Sequence, residues 1–227
     1  MKIAIKVGGS VFCPADKPDM AFVRKLAKAL LELSGKHKIL VVVGGGRLAR
    51  KMIEEAKSRG VSSEDELHVI GIEAARNNAS VLIKQLGDKA FSGIPRNEQE
   101  VAKAFSTGKI VVVGGFRPGQ TTDAVTMQSA AAVGAHMVII GTNVKGIYDR
   151  DPNRFKDARF LPELSTAQLM KMSDKKNVKP GEKTKIDPVA VRMMKKTGIK
   201  TVVLDIRDMG NMKKAAEGGK CIGTVIA

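Results

Sequence analysis

Near the amino terminus stands the stretch Ile3-Ala4-Ile5-Lys6-Val7-Gly8-Gly9-Ser10, an apolar run that ends in two glycines. Short β-branched runs of this kind are typical of strands that are buried on both faces of a parallel sheet. Further runs of the same composition, each ending in glycine or a polar turn, lie at residues 38–43, 109–113, 137–140 and 201–204. We interpret all of them as strands of a parallel sheet.

Helical patterns lie between these runs, at residues 20–33, 47–58, 72–86 and 123–133. This alternation builds βαβ units, in which helices cover both faces of the sheet. Asp187 and Pro188 are typical of the N-cap and first position of another helix, which we expect to end near Thr197. The sequence therefore predicts an α/β fold.

The domain organisation follows from the scarcity of linkers. Only residues 172–184 have a linker-like composition, because Lys, Asn, Pro and Gly replace apolar residues there, and we interpret them as a mobile loop. No repeat or low-complexity tract divides the chain. We predict a single domain of residues 1–227, with two lobes that meet at a cleft.

Composition narrows the class of protein. The 227 residues are 43% hydrophobic, which is enough to bury a sizeable core. Cys13 and Cys221 are too few and too far apart for a disulfide framework or a metal cluster, which favours a reducing, cytoplasmic compartment. No signal-peptide pattern opens the chain, and its apolar runs are too short to span a bilayer. The net charge of +16 favours anionic partners, while 4% aromatic content argues against a stacking platform for nucleic acid.

Glycines follow four of the predicted strands, at Gly8-Gly9-Ser10, Gly44-Gly45-Gly46, Gly114-Gly115 and Gly141-Thr142-Asn143. Ligands of open parallel sheets collect at the carboxyl ends of the strands, where free N–H groups and helix N-termini bind anions. This edge could hold two anions or one long polyphosphate.

Two stretches imitate better-known nucleotide motifs. Residues 44–49 fit the G-x-G-x-x-A fingerprint of dinucleotide-binding folds. That fingerprint also needs an acidic residue at the end of a second strand, but the acidic residues 64–66 lie in a stretch that we interpret as a polar turn. Residues 114–121 fit a Walker pattern, but Gln120 occupies the position of the phosphate-binding lysine. Neither motif is complete.

Phosphoryl transfer needs positive charge close to the transferred group. Lys6 is a candidate because it lies in an apolar strand two residues before Gly8. Arg50 is a second candidate, one turn into the helix that follows the triglycine, where a guanidinium could bind a phosphate bidentately. Asp123 begins a helix and could either cap it or orient a cation.

The complete set of motifs resembles the amino acid kinase family and, within it, the archaeal group of uridylate kinases. The resemblance covers nearly the whole chain. It rests on the segments Lys6-Val7-Gly8-Gly9-Ser10, Gly44-Gly45-Gly46-Arg47-Leu48-Ala49-Arg50, Gly115-Phe116-Arg117-Pro118-Gly119-Gln120-Thr121-Thr122-Asp123, Thr142-Asn143-Val144-Lys145-Gly146-Ile147-Tyr148, Asp151-Pro152 and Ile186-Asp187-Pro188.

The resemblance implies a three-layer αβα sandwich around a mostly parallel sheet of roughly eight strands. UMP would bind in the N-terminal half and ATP, with Mg²⁺, in the C-terminal half of a homohexamer, and pyrimidine nucleotide biosynthesis would be the setting. Lys6 would stabilise the transition state, while Asp123 and Asp187 would organise the site. ATP would be bound by Gly9, Ser10, Gly46, Arg50, Thr142, Asn143, Tyr148 and Asp151. UMP would be bound by Gly45, His68, Phe116, Arg117, Pro118, Gly119, Gln120, Thr121 and Thr122.

Two positions depart from the family pattern and keep other functions open. His68 replaces an aspartate that accepts hydrogen bonds from the ribose of UMP, and a neutral histidine can accept only one. Lys145 replaces another aspartate and adds a cation near the nucleotide. The alternatives are a sister kinase of this fold with another phosphate or carboxylate acceptor, a non-catalytic nucleotide sensor, and an RNA-binding protein.

Overall fold

Strands and helices alternate along the chain in the computed structural model, which describes residues 1–173 and 186–227. We number the elements in chain order. The strands are β1 (Lys2–Val7), β2 (Lys38–Val43), β3 (Val111–Val113), β4 (Met137–Thr142), β5 (Ile147–Tyr148), β6 (Phe160–Leu161), β7 (Glu163–Leu164), β8 (Lys200–Asp205) and β9 (Thr224–Ile226). The helices are α1 (Gly9–Phe12), α2 (Met20–Ser34), α3 (Gly46–Ser58), α4 (Glu64–Leu86), α5 (Glu98–Ser106), α6 (Thr122–Val133), α7 (Thr166–Met172), α8 (Pro188–Thr197) and α9 (Met209–Ala216).

The main sheet has seven strands in the order β3-β2-β1-β4-β8-β9-β7. Neighbouring strands are parallel except for β8 and β9, and β5 and β6 form a separate antiparallel pair. The chain leaves β1 towards β2 and β3 on one side, and later adds β4 and β8 on the other side. The order therefore reverses between β1 and β4, and the crevice beyond such a reversal is the usual ligand site of an open α/β sheet.

Two apolar clusters cover the two faces of the sheet. Residues of α2, α4 and α9 pack on one face with Ile3, Ile5 and Val41. Residues of α5, α6, α7 and α8 pack on the other face with Ala4 and Leu40. Alternate residues of β1 thus enter different clusters, as expected for a strand buried on both sides. The predicted αβα sandwich is confirmed.

Helix α4 is longer than its apolar pattern indicates. We predicted a polar turn at residues 64–66 and a helix from residue 72, and both expectations are wrong because α4 begins at Glu64. The Ser63 side chain accepts a hydrogen bond from the N–H of Glu66, and the acidic first turn is favourable at a helix N-terminus. His68 therefore lies within the helix and not before its entry.

Smaller differences concern the sheet. Within residues 1–173 and 186–227 it has seven strands, where the resemblance implies roughly eight, and β3 begins at Val111 instead of residue 109. The predicted start of α8 is confirmed, since Asp187 caps the helix and Pro188 opens it. Most of the predicted loop at 172–184 lies outside the described residues.

No helix in the described ranges, 1–173 and 186–227, is long and apolar enough to cross a membrane.

Candidate active site

A cleft of about 430 Å³ opens at the carboxyl ends of β1, β2 and β4, beside the reversal of strand order. Glycine turns form its floor, and its charged lining contains three cations and two carboxylates. These charged groups are Lys6, Arg50, Arg150, Asp123 and Asp151. The glycine turns after β1, β2 and β4 meet here as predicted, whereas Gly114 and Gly115 after β3 do not line the cleft. The resulting cleft suits a polyanion that also carries a polar, uncharged part.

The turns after β1 and β2 pack backbone against backbone. A Cβ atom on Gly9 would lie 2.2 Å from the Gly46 nitrogen, so no larger residue fits without moving a turn. Gly46 itself has φ of +70°, a conformation that glycine adopts without steric cost. The Gly8 N–H donates to the Gly141 carbonyl at 2.9 Å, which ties the first turn to β4. These contacts make one rigid surface from three separate segments.

Backbone N–H groups on this surface are available to a ligand. Within the described residues, the N–H groups of Gly9, Ser10, Gly45 and Gly46 make no hydrogen bond to the protein. Gly45 is also the N-cap of α3, whose N-terminus has no side-chain cap. Free N–H groups at a helix N-terminus bind phosphates well. The turns can therefore hold phosphate oxygens through the backbone, as the sequence predicted.

Lys6 and Asp123 face each other across the cleft floor. The ammonium of Lys6 lies 2.7 Å from Oδ1 of Asp123, and the two side chains are 15% and 9% exposed. The atoms are close but not aligned as a hydrogen bond. The carboxylate can thus hold the lysine in place and leave its N–H donors free for a phosphate. This geometry suits a cation that stabilises negative charge on a transferred phosphoryl group.

Asp187 does not belong to the cleft lining but contacts a residue that does. It is 3% exposed and does not line the cavity. Its Oδ1 accepts the Val189 N–H at 2.8 Å, and its Oδ2 accepts the hydroxyl of Thr121, a residue that does line the cavity. The structure therefore places Asp187 as a support for the turn before Asp123.

Replacing Asp187 with Ala tests this support. We expect the free energy of unfolding to fall by about 2 kcal/mol, since an N-cap contributes about 1 kcal/mol and a hydrogen bond to a charged group slightly more. Turnover should fall about tenfold because Thr121 loses its partner beside Asp123. Asp19→Ala is the control, since Asp19 caps α2 away from the cleft lining. Equal turnover in the two variants, measured with denaturant unfolding in parallel, would contradict the support.

The opposite end of the cleft suits the nucleoside part of a ligand. Thr142, Asn143, Tyr148 and Asp151 all line it, as predicted. Tyr148 is held by an edge contact with Phe160, with ring centroids 5.6 Å apart. An aromatic ring beside polar groups is a common surface for a purine base.

Several predicted acceptor residues lie outside the cleft lining. These are His68, Phe116, Arg117, Pro118, Gly119 and Gln120, whereas Gly45, Thr121 and Thr122 line it. Phe116 packs against an apolar cluster, and Arg117 is paired with Glu98 at 3.0 Å. His68 lies one turn before Gly71, whose carbonyl is close to Gly45. The cleft lining thus contains all eight residues predicted for ATP and three of the nine predicted for UMP.

Comparison with known proteins decides the family. The sequence model of the amino acid kinase family matches residues 1–205. The chain belongs to the amino acid kinase family. It is 38% identical over 226 residues to the uridylate kinase of Methanothermobacter thermautotrophicus, an alignment that covers 100% of this chain and 99% of that protein. It is 38% identical over 208 residues to the uridylate kinase of Pyrococcus abyssi, with 92% of each covered.

Solved structures agree with this grouping. The crystal structure of uridylate kinase from Archaeoglobus fulgidus superimposes with a TM-score of 0.88 at 34% identity and covers 100% of both chains. A UMP kinase from Ureaplasma parvum gives a TM-score of 0.80 at 21% identity, over 100% of this chain and 98% of that one, and shares the fold. This member of the amino acid kinase family is thus a relative of the archaeal uridylate kinases.

The structure also brings to the cleft, or beside it, residues that sequence reasoning missed. Arg150, Pro152 and Asn153 line the cleft beside Asp151, whose carboxylate accepts both the N–H and the side-chain amide of Asn153. Polar residues in an irregular segment give no periodic signal. Asn78 was also missed, although it is a polar residue on the buried, alanine-rich face of α4, and that mismatch was visible in the sequence.

One buried nucleophile has no role in this site. Burial raises the pKa of the Cys13 thiol, so the thiol is neutral near pH 7. Its Sγ donates to the carbonyl of Ala15 at 3.2 Å. A protonated thiol is not the nucleophilic form of cysteine.

Proposed function

We propose that this chain transfers the γ-phosphoryl group of ATP directly to UMP and so forms UDP. The observation that carries the proposal is the placement of Lys6, held 2.7 Å from Asp123, beside the free N–H groups of the glycine turns. Proteins named uridylate kinase match the chain from end to end, which supports UMP as the acceptor.

The chemistry required of the protein is positioning and charge stabilisation. In phosphoryl transfer, negative charge spreads over the oxygens of the transferred group. N–H groups of Gly9, Ser10, Gly45 and Gly46 would bind phosphate oxygens, and Arg50 would add a cation. Lys6 would stabilise the negative charge that develops on the transferred phosphoryl group, while Asp123 keeps the Lys6 ammonium in place. No covalent intermediate is needed.

Magnesium would enter with the triphosphate of ATP. Among the residues described, no three His, Cys, Asp or Glu side chains are grouped so that they could hold a metal ion. Phosphate oxygens and water are the ligands that Mg²⁺ ordinarily keeps in kinases, so the donor set of this cleft fits an ion that arrives on the nucleotide. When bound, Mg²⁺ would neutralise part of the phosphate charge.

The two substrates would bind to different halves of the chain. ATP would occupy the C-terminal half, with its base beside Tyr148 and its phosphates on the turns, as the cleft lining supports. UMP would approach from the N-terminal half, past Gly45 and the loop 116–122. His68 would accept one hydrogen bond from the ribose, at the position where the family pattern named above has an aspartate. A cytoplasmic role in pyrimidine nucleotide biosynthesis, and a homohexamer, complete the proposal on the strength of the family resemblance and the two free cysteines.

A panel of acceptors tests the proposed reaction. We expect UMP to give the highest kcat/KM for ADP formation among UMP, CMP, AMP, GMP and small phosphates or carboxylates, each with ATP and Mg²⁺. A control without any acceptor measures ATP hydrolysis. A preference for a non-nucleotide acceptor would overturn the choice of UMP and leave the phosphotransferase chemistry in place. Strong RNA binding with no ADP formation from any acceptor would overturn the kinase assignment.

A further inference from the structure

Asn78 is a buried polar residue in the middle of α4 that lies behind the triglycine turn. Asn78 is 1% exposed. The amide Nδ2 donates to the carbonyl of Gly44 at 2.8 Å and to the carbonyl of Gly45 at 3.2 Å. An amide nitrogen carries two donors, so both are used on this turn.

The two carbonyls control the N–H groups that face the cleft. The carbonyl of Gly44 and the N–H of Gly45 belong to one planar peptide unit, and so do the carbonyl of Gly45 and the N–H of Gly46. In a trans peptide the C=O and N–H bonds point in opposite directions, and the described chain contains no cis peptide. Fixing both carbonyls against α4 therefore points both N–H groups away from α4.

The turn needs such fixation because its residues are glycines. Glycine populates more backbone conformations than any other residue, so a glycine turn can rotate its peptide planes at low cost. The N–H groups of Gly45 and Gly46 have no protein acceptor in the described part of the chain that would hold them otherwise. Asn78 supplies a restraint from the side opposite the cleft, through the Gly44 carbonyl and, together with the Ala49 N–H that donates at 3.4 Å, through the Gly45 carbonyl.

We propose that Asn78 is a positioning residue that orients the N–H groups of Gly45 and Gly46 towards the phosphate of the substrate. The inference rests on the proposed function for the identity of the reaction. It adds that the anion site after β2 is set by a side chain that does not touch the substrate. Asn78 does not line the cleft.

Two substitutions separate this role from simple filling of the core. Asn78→Asp keeps the shape but replaces the donors with an acceptor beside two carbonyl oxygens. Asn78→Ser shortens the side chain, removes the reach of the amide and is the milder change if the Asp variant folds poorly. Asn77→Asp is the matched control, because Asn77 is the adjacent residue on the same helix and is exposed.

We expect kcat with ATP and UMP to fall about 100-fold in Asn78→Asp and about tenfold in Asn78→Ser, since losing one oriented donor to a developing anion has effects of that order. Asn77→Asp should keep the kcat of the unchanged protein. The Kd of tripolyphosphate, measured by calorimetry, should rise at least about tenfold in both Asn78 variants by the same loss of donors.

A pH profile gives a further signature. The carboxyl of Asn78→Asp would be buried beside carbonyl oxygens, which favours its neutral form and raises its pKa. The neutral acid can donate its O–H to one carbonyl again. The deficit in kcat relative to the unchanged protein should therefore shrink as the pH falls through that pKa, whereas Asn78→Ser should show a constant deficit.

The outcomes separate the two claims. If the unchanged protein forms no UDP but the Asn78 variants still lose tripolyphosphate affinity, the proposed function fails and the positioning role stands. If the unchanged protein is active and both folded Asn78 variants keep its kcat and its tripolyphosphate Kd, Asn78 is a core residue only. A lowered melting temperature with unchanged kcat would also overturn the positioning role.

Discussion

Lys6→Met should lower kcat for UDP formation by about 1000-fold, while the Kd of ATP changes by no more than about fivefold. A cation that meets charge developing in the transition state contributes mainly to turnover, and removing such a group from a phosphotransferase has effects of about this size. Methionine keeps the length of the side chain in a site where Lys6 is 15% exposed. Steady-state kinetics and equilibrium ATP binding supply the two numbers.

Lys38→Met is the matched control for this substitution. Lys38 is the exposed first residue of β2, the strand beside β1, and lies at the opposite end of the sheet from the cleft. The kcat of the Lys38→Met variant should equal that of the unchanged protein. If Lys6→Met weakened ATP binding as much as it lowered kcat, Lys6 would be a ground-state phosphate ligand and not a stabiliser of the transition state.

Gly9→Ala is expected to reduce kcat/KM for UMP at least about 100-fold. The new Cβ would lie 2.2 Å from the nitrogen and 2.7 Å from the Cα of Gly46, so the turns after β1 and β2 must separate. Both turns carry N–H groups assigned to phosphate binding, and displacements of about 1 Å in a reacting site have effects of this order. Circular dichroism and thermal unfolding should show that the variant is folded before the rates are compared.

Gly35→Ala controls for the change of residue type. Gly35 follows α2 with an ordinary helical φ of −65°, and its nearest atom to an added Cβ is the Glu32 carbonyl oxygen at 3.4 Å. This variant should keep full activity. A Gly9→Ala protein with kcat/KM within threefold of the unchanged protein would mean that the close approach of the two turns is not needed for catalysis.

Much of the fold was predictable because its central strands have strong patterns. The boundaries of β2 were correct, and those of β1 and β4 were within two residues, since buried parallel strands are continuous apolar runs bounded by glycine. The start of α4 was not predictable from periodicity, because its first turn is acidic and was mistaken for a loop. The two-residue strands β5, β6 and β7 are too short to have a period.

The candidate site was likewise only partly predictable from the sequence. The sequence was sufficient to find the glycine turns, Lys6, Arg50 and Asp123. Each of them lies within a predicted strand or helix or directly follows one. The pairing of Lys6 with Asp123 joins residues that are far apart in the chain, and only packing brings them together. Asn78 was visible as a polar residue on the apolar face of α4, but its partners, the carbonyls of Gly44 and Gly45, were not, because backbone atoms have no sequence signature.

The central claim is direct transfer of a phosphoryl group from ATP to UMP in the glycine-lined cleft. Incubation of the protein with Mg²⁺, UMP and ATP labelled with ³²P at the γ-phosphate tests it most directly, with nucleotides and free phosphate separated by chromatography. The account predicts that the label appears in UDP in step with ADP formation and that Lys6→Met suppresses both. Label released as inorganic phosphate, with UMP left unlabelled, would contradict it.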